Sequence, residues 1–243
     1  MLTRVLFVPD SHFPNVDPKS WQTLLNFTKD FRPNEVVILG DFQDCYAVSD
    51  FHKDPQKTER YLSKELEPGI EALAELESIS KTKKFIYLEG NHEARIRRYF
   101  TTYAAILSDQ RSTREILKLP KYYLYLPYGQ SGHYHIGNWV ATHGSIFNVN
   151  VAASMVQKYG CNVIFGHVHR FQTFSQKKFN GEVLTAITPG WLGSDKQAAE
   201  YVKDTPNSQH GFAYGYFRQS GKGSVTPVLI DQGKAIVNGK CYG

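Results

Sequence analysis

Carboxylates, histidines and one asparagine gather at the ends of five apolar runs. These are Asp10-Ser11-His12, Gly40-Asp41-Phe42-Gln43-Asp44, Gly90-Asn91-His92-Glu93, His143, and Gly166-His167-Val168-His169. Hard carboxylate oxygens mixed with imidazole nitrogens suit zinc, manganese, iron or cobalt. Asn91 offers a neutral oxygen through its side-chain carbonyl. Asp41 has two oxygens with which to bridge two cations. Asp44 is placed to orient a ligating histidine. His92 points elsewhere if Asn91 ligates, which leaves it free to act as a proton donor. Glu93 could accept amides at the start of the following helix, or orient His92.

Each short cluster has a plain alternative. Asp10 and Asp41 could cap helices, Asn91 could be a left-handed turn residue, and His143 could be structural. The joint pattern outweighs these, because in α/β proteins the carboxyl ends of strands are where sites form. Neither a dinucleotide fingerprint nor a P-loop occurs, and Gly-x-Ser-x-Gly is absent.

The elements that must position these residues follow from periodicity. Val5 to Val8 reads as a buried strand, Asp17-Pro18 as a helix start, and Trp21, Leu24, Leu25, Thr28 and Phe31 as its apolar stripe. Val36 to Leu39 is the second strand and residues 84–88 the third. Leu62, Leu66, Ile70, Leu73 and Leu76 mark a long helix that Pro68-Gly69 should kink or split. Strand–helix–strand order with buried strands predicts parallel βαβ units. A short helix is expected over 111–119. From residue 121 the texture becomes strand-rich, with a helix at 149–159 ended by Gly160 and a hairpin turn at Asn180-Gly181. Strands are expected at 162–165, 171–178, 183–188, 212–219, 224–231 and 234–238. The polar stretch 193–210 is a candidate lid, with 196–203 helical. The whole, 1–243, reads as one domain.

Composition sets outer limits. The chain has 243 residues, 41% hydrophobic and 21% charged, an ordinary globular balance. Its net charge of +5 permits DNA or RNA as a partner without demanding it. Three scattered cysteines form no zinc-finger or disulfide framework, which fits a reducing compartment. The N-terminus opens as a strand without a secretory pattern, and no apolar run is long enough to span a membrane. A cytoplasmic setting is expected.

The five blocks, in order, resemble the calcineurin-like metallophosphoesterase superfamily. The resemblance covers residues 5–170. It implies an α/β fold, a four-layer α/β/β/α sandwich. It implies one metal held by Asp10, His12, Asp41 and His169, a second held by Asp41, Asn91, His143 and His167, and His92 as a catalytic histidine that is not a ligand. The implied cofactors are two divalent transition-metal ions, manganese first, with iron, zinc, nickel and cobalt as alternatives. Departures narrow the branch. Protein serine/threonine phosphatases of this superfamily continue Asp-Arg-Gly where this chain has Asp44-Cys45-Tyr46. The double-strand-break repair nucleases carry histidine at the Asp44 position. The 46–55 segment together with Gly90-Asn91-His92-Glu93-Ala94-Arg95 looks most like a phage-borne branch, which would place the protein in a host cytoplasm.

The implied activity is two-metal hydrolysis of phosphate esters. A phosphodiesterase acting on nucleotides or nucleic acid is the first expectation. A phosphomonoesterase on small molecules and a non-catalytic binding or scaffold protein on the same fold are the alternatives. His92 would protonate the leaving oxygen. Arg95 or Arg98 would hold a phosphoryl oxygen, or else form a solvated helix face. Residues 45–55 could roof the site. Tyr46, Phe51, Phe147, Trp191 and Tyr201 could stack on bases or pack in the core. Lys53, Lys57 and Arg60 tilt toward nucleic acid.

Overall fold

The computed structural model describes residues 2–50, 61–107, 111–196 and 207–243. Strand β1 (Thr3–Val8) leads through helix α1 (Pro18–Phe31) to β2 (Glu35–Ile38), which pairs with β1 in parallel. Asp17 caps α1, its side chain accepting from the Ser20 amide at 2.7 Å, and Pro18 takes the first helical position. Helix α2 (Leu62–Ser80) then crosses to β3 (Phe85–Leu88), parallel to β2.

Helix α2 is continuous, so Pro68-Gly69 does not split it. Packing of Leu66, Leu73 and Leu76 in the core overrides the local preference. Gly69 has a second use. A Cβ there would lie 2.2 Å from Gln43 Nε2, so the glycine lets the loop after β2 close on the helix. Gln43 Nε2 donates to Leu66 O at 3.3 Å.

Helices α3 (Ala94–Tyr103) and α4 (Thr113–Ile116) precede β4 (Leu124–Leu126), which joins β3 in parallel. The helix expected over 111–119 shortens to α4, opened by a Ser112/Glu115 capping box and followed by Lys118 in the left-handed region at φ 52°.

The second half contains the hairpin β5 (His133–Ile136) and β6 (Trp139–Thr142), then α5 (Val151–Tyr159) crossing to β7 (Asn162–Phe165), parallel to β6. Strands β8 (Phe171–Lys177) and β9 (Val183–Pro189) turn at Asn180-Gly181, and β9 runs parallel to β7. Strands β10 (Gly211–Phe217) and β11 (Gly223–Leu229) return to the first sheet, β10 antiparallel to β1. They extend that sheet. Strands β12 (Ala235–Val237) and β13 (Lys240–Tyr242) form a separate hairpin.

The sheet orders are β11-β10-β1-β2-β3-β4 and β5-β6-β7-β9-β8. Alternation along β1 explains the layering. Leu6 and Val8 pack with Leu24, Leu25, Leu66 and Leu73 of α1 and α2. Val5 and Phe7 face the other way and meet Ala141, Ile164 and Ile187 of the second sheet. On the far side of that sheet, Val140, Val163 and Phe165 pack against Val151 and Met155 of α5. This is the four-layer α/β/β/α sandwich.

The expected lid lies outside the described residues from 197 to 206, as does most of the helix expected at 196–203. Its described ends are anchored by a Val16–Gly193 bridge and a Trp191–His210 bridge. Among the described residues no helix is long and apolar enough to cross a membrane.

Candidate metal centre

The carboxyl ends of β1, β2, β3, β6 and β7 meet along one edge of the sandwich, and each contributes its loop. His12, Asp41, His167 and His169 all adopt left-handed backbone, with φ of 51°, 48°, 75° and 56°. Such conformations are uncommon for residues with a Cβ and gather at functional sites. The curl at β7 turns His167 and His169 toward different neighbours. Glycines make the approach of the loops feasible. A Cβ on Gly90 would lie 2.1 Å from Asp41 Oδ1, and one on Gly166 would lie 2.1 Å from Asp10 Oδ1.

Two groups of donors result. In the first, Asp10, His12 and His169 converge, with His12 Nε2 3.0 Å from His169 Nε2 and His169 Nε2 3.3 Å from Asp10 Oδ2. In the second, Asp41, His143 and His167 converge, with His143 Nε2 3.2 Å from Asp41 Oδ2. Asn91 Oδ1 completes it, 2.9 Å from His143 Nε2 and 2.8 Å from His167 Nδ1. The seven candidate ligands named from the sequence thus fall in these two groups, with Asp41 placed in the second.

The donor set fits cations. His143 Nδ1 donates to the Leu39 carbonyl at 2.9 Å, so its Nε2 lone pair would face the Asp41 carboxylate and the Asn91 carbonyl. Lone pairs aimed at lone pairs need a proton or a metal ion between them. Burial pulls the His143 imidazole down, but the Asp41 and Asp10 carboxylates outweigh it and hold it up at about 10. Burial, reinforced by His143, pushes His167 down to about 4. A cation entering here would displace the His143 proton.

Asp44 sits behind these ligands. Its Oδ1 lies 3.2 Å from His12 Nδ1 and 2.9 Å from His92 Nδ1. Burial raises this carboxyl, but the two histidines outweigh burial and hold it well below the usual range. His12, Asp44 and His92 are close enough to form a third ligand group. There the imidazole of His92 also meets the Asp44 carbonyl at 2.9 Å, so hydrogen bonds satisfy it. His92 Nε2 lies 2.9 Å from Arg95 Nη2 and 3.8 Å from Asp41 Oδ2. Burial lowers the His92 imidazole, but Asp41 and Asp44 outweigh it and the net shift is upward.

Arg95 is buried, and its Nη1 donates to Asp44 O at 3.0 Å, so it does not belong to a solvated helix face. Arg98 does, half-exposed and 3.5 Å from Asp50. Glu93 serves neither purpose expected of it. It is fully buried and accepts from the amides of Asp41, Gln43 and Gly90 and from the Tyr87 hydroxyl, at 2.8 to 3.0 Å. One carboxylate thus ties the loop after β2 to the loop after β3. Burial, with Asp41 adding, pushes it up to about 7, and bound cations would oppose both effects.

Trp191 was a candidate base-stacking ring but is completely buried. Its indole stacks on His169 with centroids 4.4 Å apart and planes 12° from parallel. It fixes the ring of this candidate ligand, which stays partly exposed. Tyr128 likewise sits edge-on to His143 at 5.8 Å. Neither role carries a local sequence signal: the first contact continues the β8–β9 pairing past Phe171 and Pro189, and the second arises only when the two sheets face each other. Phe51, Lys53, Lys57, Arg60 and Tyr201 fall outside the described residues, and so does the 51–55 end of the expected 45–55 roof. Its start, Tyr46–Val48, is a single 3₁₀ turn whose Tyr46 and Ala47 amides donate to Glu65 of α2.

The model for calcineurin-like phosphoesterases matches residues 3–171. The Gene 54 protein of Mycobacterium phage D29 is 28% identical over 239 residues, covering 87% of this chain and 88% of the relative. Its counterpart in Mycobacterium phage L5 is 27% identical over 241 residues, with 88% of each covered. Among solved structures, Vacuolar Protein Sorting 29 from Cryptosporidium parvum overlays 100% of this chain and 95% of its own, at 15% identity and a TM-score of 0.45. The chain belongs to the calcineurin-like phosphoesterase family.

Proposed function

We propose that the chain is a dinuclear metal-dependent phosphodiesterase acting on nucleotides or nucleic acid, within a single domain spanning 1–243. Asp10, His12, Asp41 and His169 would hold one divalent ion, and Asp41, Asn91, His143 and His167 the other. Manganese is the first candidate, and iron, zinc, nickel and cobalt suit the same oxygen and imidazole donors. Two such ions would supply paired Lewis acids for a phosphoryl group and acidify water.

The donor set carries the reading: Asp10, His12 and His169 form one group and Asp41, Asn91, His143 and His167 another, two sets of oxygen and imidazole donors suited to two divalent ions. The net charge of +5 favours a nucleotide or nucleic-acid diester as the substrate.

The chain's own residues divide the remaining work. Asp44 anchors His92 through Nδ1, which aims Nε2 at the Asp41 side of the centre. His92 then delivers a proton from Nε2 to the leaving oxygen. Arg95 Nη2 lies against the same nitrogen. An entering phosphate gives that guanidinium an anionic partner and leaves Nε2 to carry its proton. The phage relatives support a host-cytoplasm setting.

The test compares bis(para-nitrophenyl) phosphate with para-nitrophenyl phosphate under added manganese. The expected result is a kcat/KM for the diester at least about 10-fold higher, roughly 1.4 kcal/mol of transition-state preference. Preference for the monoester would make the protein a phosphatase. Metal uptake without turnover of either ester would make it a binding protein.

A further inference from the structure

Past His143 the chain runs Gly144-Ser145-Ile146-Phe147-Asn148-Val149-Asn150 before α5 begins. Ile146 packs against the core beneath α5, yet Phe147 remains 76% exposed. A single exposed apolar ring is ordinary on a protein surface. This one is held in place. The Arg170 guanidinium lies 5.4 Å from its ring centroid, and Arg170 Nη2 donates to the carbonyl of Asn148, the next residue. Gln172 stitches the same loop to β8, its Nε2 donating to Val149 O at 3.0 Å and its Oε1 accepting from Ala152 N at 2.8 Å. Asn148 Nδ2 donates to Ser154 Oγ at 3.0 Å.

The platform also adjoins the centre along the chain. Arg170 directly follows His169, one ligand of the first group, so their Cα atoms are about 3.8 Å apart. Phe147 lies four residues beyond His143, a ligand of the second. Arg170 Nε is buried with no hydrogen-bond partner among the described residues, a guanidinium still short of an acceptor. Of the rings read from the sequence as possible base platforms, Trp191 is buried and Tyr46 is partly buried, which leaves Phe147 as the open one of those three; Tyr61, Tyr103 and Phe179 are also exposed, but none of them stands on a loop that carries a candidate ligand.

We infer that Phe147, backed by Arg170, is a stacking platform for an unpaired nucleobase beside the scissile phosphate. This rests on the phosphodiesterase reading and narrows its substrate to nucleotide diesters and single-stranded nucleic acid. A base within a duplex has both faces covered and cannot use the ring.

The test uses the full, manganese-loaded chain and two diesters with the same leaving group, thymidine para-nitrophenyl phosphate and its abasic tetrahydrofuran counterpart. Wild type should show a KM about 10-fold lower for the base-bearing ester, the scale of one base–aromatic stack. Phe147→Trp should keep that ratio, and Phe147→Ala should bring it close to one. A ratio near one in wild type, or one unchanged by Phe147→Ala, overturns the inference. A second measurement needs no turnover. Binding should quench a single-stranded oligonucleotide carrying 2-aminopurine, and Phe147→Ala should remove the quenching. If neither ester is hydrolysed, the diesterase reading fails and the quenching alone decides this one: wild-type quenching lost in Phe147→Ala sustains it, and no quenching by wild type overturns it.

Discussion

His92→Ala lowers turnover by about 10²- to 10⁴-fold on a diester with an alkoxide leaving group, the usual worth of a positioned proton donor. Metal content stays at the wild-type value. Both expectations follow from where His92 sits. Its Nδ1 is committed to Asp44, its Nε2 reaches Arg95 and the Asp41 side of the centre, and neither nitrogen belongs to the two groups built on Asp10 and Asp41. An aryl diester offers a sharper control. Its leaving group departs as a stable anion and needs little protonation, so the same substitution should cost far less there. Equal losses on both esters would assign His92 to positioning alone, and loss of metal would make it a ligand.

The largest effect on stability is expected at Glu93. Glu93→Ala leaves three amides and the Tyr87 hydroxyl without their acceptor in a buried place. Each unsatisfied buried donor costs about 1–3 kcal/mol, so even the low end gives about 4 kcal/mol. Glu93→Gln should fall between, since an amide keeps one acceptor oxygen and adds donors that find no carbonyl. Urea unfolding of the metal-free protein reads this as a lower midpoint at unchanged slope. A midpoint within about 1 kcal/mol of wild type would mean that the loops after β2 and β3 are held by something other than this carboxylate.

The candidate ligands stand out in the sequence because each lies in a short block at a strand end, and each block carries its own spacing. The four layers were implied by the resemblance those blocks carry, whereas the strands alone asked only for cover on both faces, since Val5 to Val8 and Val36 to Leu39 are apolar throughout. Three things were not legible. The continuity of α2 through Pro68-Gly69 depends on Leu66, Leu73 and Leu76 packing in a core built from distant strands. The reach of Glu93 across to Asp41 and Gln43 spans about fifty positions in sequence and appears only once β2 and β3 pair. The stack of Trp191 on His169 continues the β8–β9 pairing, which sets the two residues opposite each other past Phe171 and Pro189. Local pattern gives the residues of a site, whereas the partners that orient them come from the meeting of distant strands.

The most direct test of the proposed dinuclear centre is a titration of the metal-free protein with manganese, following bound metal and hydrolysis of the aryl diester together. Turnover should be absent at the start, rise with loading and reach its plateau at about two ions per chain, the stoichiometry of a two-metal mechanism. A protein that binds two ions and hydrolyses nothing, or one fully active without added metal, would contradict the account.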